Sequence, residues 1–118
     1  MTILLEITPV PKPRQTRADK WKKRPAVMRY RAFADELRLK LPRDVDLNGR
    51  SVEFTFKMPK SWSRTKKAQM DGTPHLQTPD LDNTLKALID AHLSDDSGIW
   101  SLAGLTKRWG YRGSIRIW

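Results

Sequence analysis

The stretch Thr78-Pro79-Asp80-Leu81-Asp82-Asn83-Thr84-Leu85-Lys86-Ala87-Leu88-Ile89-Asp90, "TPDLDNTLKALID", decides how the rest of the chain is read. Leu81, Leu85 and Leu88 recur at helical spacing, and Thr78 or Asp80 can serve as N-cap with Pro79 easing entry. A helix from about Leu81 to Ala91 follows, with Leu81, Leu85, Leu88 and His92 as its expected buried stripe. Asp82, Lys86 and Asp90, spaced i, i+4 and i+8, then share a different side of the cylinder. Asp95-Asp96 lies just past the helix end. Five of the thirteen acidic residues therefore fall between positions 80 and 96, in a 118-residue chain whose formal charge is +10.

Outward from this helix the pattern alternates between strand and helix. "TILLEIT" (2–8) puts Ile3, Leu5 and Ile7 on one face, and Pro9, Pro11 and Pro13 stop it. "KPRQTRADKWKKR" reads as an exposed basic loop. From Pro25, the apolar positions Val27, Tyr30, Ala34, Leu37 and Leu41 predict a helix that Pro42 ends. Val52, Phe54 and Phe56 alternate with polar residues over 51–57 in a clear strand. "MPKSWSRTKKAQMDGTPHLQ" predicts a loop with one helical turn near Arg64–Met70. Ile115 and Ile117 mark a last strand, and Gly110 and Gly113 suggest a hairpin turn before it. Trp100, Trp109 and Trp118, in strand-like sequence, are expected in the core or a dimer interface. The fold class is α/β: one small domain over 1–118, a mixed β-sheet with two helices, in the order β-α-β-α-β-β.

Composition bounds the function. There are 23 Lys and Arg against 13 Asp and Glu, an imbalance that suits a polyanionic partner, nucleic acid above all. The sequence has no cysteine, so disulfides and thiolate metal sites are excluded. No apolar run is long enough to span a bilayer, and the N-terminus lacks the basic region and cleavage site of a signal peptide, which suits a cytoplasmic protein. One basic group comprises Lys12, Arg14, Arg17, Lys20, Lys22, Lys23 and Arg24. A second comprises Lys57, Lys60, Arg64, Lys66 and Lys67 and leads into the acidic helix. Both suit phosphate contacts. Trp21 and Trp62, within these groups, could stack on bases or anchor their loops.

The helix dipole explains acids in the first turn but not two more past the C-terminus, where cations are favoured. Carboxylates gathered at one point repel one another unless a cation sits among them. Oxygen-only ligands suit Mg²⁺, with Mn²⁺ as a substitute, while His75 and His92 lack the spacing of a zinc site. A metal beside a lysine on a DNA-binding surface is what phosphodiester hydrolysis requires.

These residues resemble the RusA-type Holliday junction resolvases of bacteria and their prophages. The resemblance rests on "TPDLDNTLKALIDA" followed by "DDSGI", on "MPKSW" at a strand end, and on "PVPKPRQTR" after the first strand. It implies a homodimeric Mg²⁺-dependent endonuclease that cuts four-way DNA junctions. Asp80, Asp82 and Asp96 would hold the metal, with Asp95 the alternative to Asp96. Lys86 would be the catalytic lysine, and Asp90 would orient Lys86 or close the helix. The connection from Asp90 to Asp95-Asp96 is several residues shorter than in the family, and Gly98 stands where a polar residue is common. Two other readings share the basic loops: a nucleic-acid-binding module without catalysis, and a broader branched-DNA or flap nuclease.

Overall fold

The computed structural model describes residues 1–13, 24–93 and 96–118, without the Asp96 side chain. The elements run β1 (Ile3–Leu5), α1 (Pro25–Lys40), β2 (Arg50–Lys57), α2 (Arg64–Met70), α3 (Leu81–His92), a 3-10 turn over Asp96–Gly98, β3 (Leu102–Gly110) and β4 (Ser114–Ile117). The α/β class and the order expected from sequence hold. The helical turn foreseen near Arg64–Met70 is a two-turn helix, which brings the α-helices to three.

The strands form one mixed sheet in the order β1-β4-β2-β3. β2 runs parallel to β3 and antiparallel to β4, while β4 is antiparallel to β1. The alternation read in the sequence sets the faces: Leu5, Val52, Phe54, Phe56, Ile115 and Ile117 are buried in one core. α1 contributes Tyr30, Phe33, Ala34, Leu37 and Leu41 to that core, and α3 contributes Ala87, Leu88, Ile89 and Ala91. Pro25 occupies the first turn of α1 and Leu41 caps its end, as Pro42 predicts.

Two expectations are corrected. Gly110 and Gly113 do not close a hairpin, because β2 lies between β3 and β4. The connection instead passes across the end of β2, where Met58 N donates to Gly110 O at 3.0 Å. A Cβ on Gly110 would stand 2.5 Å from Thr55 Cγ2, and one on Gly113 would stand 2.8 Å from Thr8 Cα. The glycines allow this close crossing. The buried stripe of α3 is also rotated from the one expected. Thr84, Ala87, Leu88, Ile89 and Ala91 are buried, while Leu81 and Leu85 only pack at the core's margin. Small side chains on that face let α3 lie close to α1, where Arg38 Nε donates to Ala91 O at 3.1 Å.

The outer edge of β3 is not bare. Gly72 N donates to Trp109 O, Trp109 N to Thr73 O, and His75 N to Lys107 O, at 2.9, 3.0 and 3.1 Å. The segment after α2 is thereby laid along the sheet edge, which removes unpaired strand groups and carries the chain directly to the start of α3.

Candidate active site

Asp80 is the N-cap of α3, but its carboxylate makes no capping hydrogen bond. The Asp80 carbonyl instead accepts from Thr84 N at 3.0 Å and from Thr84 Oγ1 at 2.9 Å. Asp82 lies in the first turn, and its Oδ1 accepts from Asn83 N at 2.9 Å. Both aspartates are exposed. Lys86 follows one turn later, also exposed, and makes no ion pair among the described residues. The i, i+4 relation of Asp82 and Lys86 read from the sequence is therefore realised on solvent-facing helix.

Asp90 has a different partner from the one expected. Its Oδ2 lies 3.5 Å from Lys12 Nζ, which also sits 4.1 Å from the centroid of the Tyr30 ring. Lys12 N approaches Asn83 O at 3.3 Å, so the proline-rich segment after β1 runs along α3. Pro11, Thr78, Pro79, Asp80 and Asn83 line a shallow cavity of about 360 Å³ at the helix entry.

The third acid stands apart in the chain. The backbone of Asp96 begins the 3-10 turn that follows the other end of α3, and a 12-residue helix separates its ends by about 18 Å. Asn48 holds this region: its Nδ2 donates to Gly98 O at 2.9 Å, and its Oδ1 accepts from Trp100 N and Ser101 N at 2.8 and 3.2 Å. Asp95 and the Asp96 side chain lie outside the described residues. Among the described residues, no group of three or more His, Asp or Glu side chains is placed to hold a metal ion. Asp80 and Asp82 do fit such an ion as two exposed oxygen donors, Asp80 with both oxygens free of capping.

The two basic groups are placed unequally. Lys60, Arg64 and Lys66 are exposed and Lys67 half-buried, and α2 has no buried residue. Ser63 Oγ caps α2 by accepting from Lys66 N at 3.1 Å. Trp62 anchors it by packing on Trp109 at 4.8 Å, with Lys66 Nζ over its outer face at 4.3 Å. Arg24 is half-buried at the N-cap of α1. Arg14, Arg17, Lys20, Trp21, Lys22 and Lys23 lie outside the described residues. Trp109 joins the core, whereas Trp100 is 82% exposed in the irregular segment before β3, so it is not a core residue.

Two residues near the site were given no role by the sequence. Lys107 Nζ donates to Gln77 O at 2.6 Å and to Pro79 O at 2.7 Å. His75 is buried between Phe56 and Trp109, at ring distances of 4.4 and 4.1 Å, and its Nδ1 has no hydrogen-bond partner. Burial, and then the Lys107 ammonium, hold its pKa below the usual histidine value, against an opposing pull from the backbone carbonyls of His75 and Gln77. The alternation over 102–110 was the available signal for Lys107, since it shares a face with Trp109, but nothing in it showed what the ammonium reaches.

Compared with known families, residues 6–117 match the model of endodeoxyribonuclease RusA. The chain belongs to the RusA family. It is thus an endodeoxyribonuclease by family, a hydrolase acting on DNA and of the Holliday-junction-resolving kind. RusA-type nucleases are generally dependent on a divalent metal. No curated protein and no solved structure matches the chain. Among the described residues, no helix of this RusA-family protein is long and apolar enough to cross a membrane.

Proposed function

We propose that this chain resolves four-way DNA junctions as a homodimer, by Mg²⁺-dependent hydrolysis of paired phosphodiesters. The observation that carries this reading is the exposed face of α3. Asp80 stands at its N-cap and Asp82 in its first turn, and Lys86, one turn on, is not paired to a described acid. Asp80 and Asp82 would hold the metal; Asp96, or Asp95 in its place, is the third carboxylate that the resemblance implies, although its backbone follows the opposite end of α3. When bound, Mg²⁺ would activate water and offset charge on the phosphate.

Lys86 is an ammonium on a flexible stem, suited to balancing charge on a phosphate or leaving oxygen. Arg64, Lys66 and Lys67 of α2, Lys60 just before it, and Lys12, Arg14, Arg17, Lys22, Lys23 and Arg24 of the first basic group would hold the DNA backbone. A C2 dimer suits a junction with approximate two-fold symmetry, because each subunit then faces one of two equivalent strands.

The test is incubation of labelled four-way junctions, flaps and duplex with the protein, with and without Mg²⁺. Paired symmetric nicks in the junction, only with metal, are expected. Asp82→Asn should lose nicking and keep junction binding. Lys86→Ala should lose roughly 10²–10³-fold in rate, the cost of removing one charge-stabilising group. Binding without nicks under every condition would make the protein a non-catalytic module, and preferred cutting of flaps would reassign its substrate.

A further inference from the structure

Asp80 is aimed by its backbone. Its side chain makes no capping bond, so the direction of its Cα–Cβ bond is set by the two peptide units that meet at its Cα. The following unit is held where the Asp80 carbonyl accepts from Thr84 N and Thr84 Oγ1. The preceding unit is the planar Pro79–Asp80 peptide, and the Lys107 ammonium lies 2.7 Å from its oxygen. The same ammonium takes Gln77 O at 2.6 Å, and the Lys107 carbonyl accepts from His75 N at 3.1 Å. One strand residue thus grips the turn with both its main chain and its side chain.

We infer that Lys107 is a positioning residue for the nuclease site: it fixes the Pro79–Asp80 peptide against β3 and thereby aims the Asp80 carboxylate. The inference rests on the proposed role of Asp80 for its catalytic consequence, while the tether itself is a matter of geometry. A lysine suits the task. Its ammonium offers three donors on a long stem, and charge-assisted bonds to two carbonyls hold more firmly than neutral ones. β3 supplies a rigid base, because Lys107 pairs in register with Phe54 at the centre of the sheet. Neighbouring His75, kept neutral by burial, adds no second positive charge.

Lys107→Met and Lys107→Arg in the full chain test this, methionine keeping the stem and arginine restoring a charged donor. Backbone amide relaxation should show Asp80 in the unaltered chain near the rigid value of about 0.85, and in Lys107→Met below about 0.6. Calorimetric Mn²⁺ binding should weaken about 10- to 100-fold, the usual cost of losing a group that orients a metal ligand. Lys107→Arg should recover most of both, and junction affinity in EDTA should stay within about twofold throughout, as expected for a residue that makes no phosphate contact.

An Asp80 amide as rigid in Lys107→Met as in the unaltered chain would overturn the inference. So would a loss of junction affinity in EDTA as large as the loss of Mn²⁺ affinity, which would make Lys107 a phosphate contact. If Asp80 loosens in Lys107→Met but the unaltered chain binds no Mn²⁺, the tether stands and the metal reading of Asp80 fails.

Discussion

Replacing His75 by phenylalanine should change how stability depends on pH. The imidazole is 3% exposed and packed against Phe56 and Trp109 at tilted angles, with Lys107 close enough to oppose a second positive charge. Its folded pKa is lowered, so between that value and about 6.5, the unfolded reference, the unfolded chain binds more protons than the native one, by at most one. Stability from neutral His75 is therefore complete above about pH 6.5 and drains away as pH falls through the window. The slope cannot exceed about 1.4 kcal/mol per pH unit for a single proton.

The variant lacks this term. It also lacks the orphaned Nδ1, whose burial costs about 1–3 kcal/mol, against a packing cost for the slightly larger ring of less than about 1.5 kcal/mol. Both of those contributions are independent of pH, so the difference between the two proteins as a function of pH isolates the histidine. Urea unfolding of each protein from pH 5.0 to 8.0 reads it. The curves should run parallel above about pH 6.5 and diverge below it in favour of His75→Phe. Parallel curves over the whole range would refute a desolvated, neutral His75.

Asn48→Ala should destabilise the protein by roughly 1–3 kcal/mol in urea unfolding, because it strips partners from Gly98 O and from the Trp100 and Ser101 amides together. Exchanging Arg64, Lys66 and Lys67 for serine should shift the midpoint little, since none of the three is fully buried. The same triple change should weaken junction binding, and should flatten the plot of log affinity against log salt by up to about 2.7, if each cation meets one phosphate. An unchanged salt slope would remove α2 from the DNA surface.

Much of the architecture was legible because it depends on local pattern. The alternation over 51–57 yields β2, the apolar steps from Val27 to Leu41 yield α1, and the prolines at 25 and 42 bound that helix within a residue. The same holds for part of the proposed site: Asp80, Asp82 and Lys86 are brought together by the helix that their own segment forms. Strand order was not legible in this way. The Gly110–Gly113 connection has hairpin composition, yet β2 separates the strands it joins, since pairing depends on which partners bury the most surface across the whole sheet.

By itself, then, the sequence determined the α/β class, the acidic face of α3 and the family, because helix spacing and motif order are properties of consecutive residues. The tertiary structure decided who meets whom across the chain. It gave Asp90 to Lys12, a partner 78 residues away in sequence. It set Asn48 against the turn that follows α3 and placed the Lys107 ammonium on the peptide entering Asp80. Those pairings arise only when a sheet edge and a helix end are packed side by side, and no local periodicity encodes that adjacency.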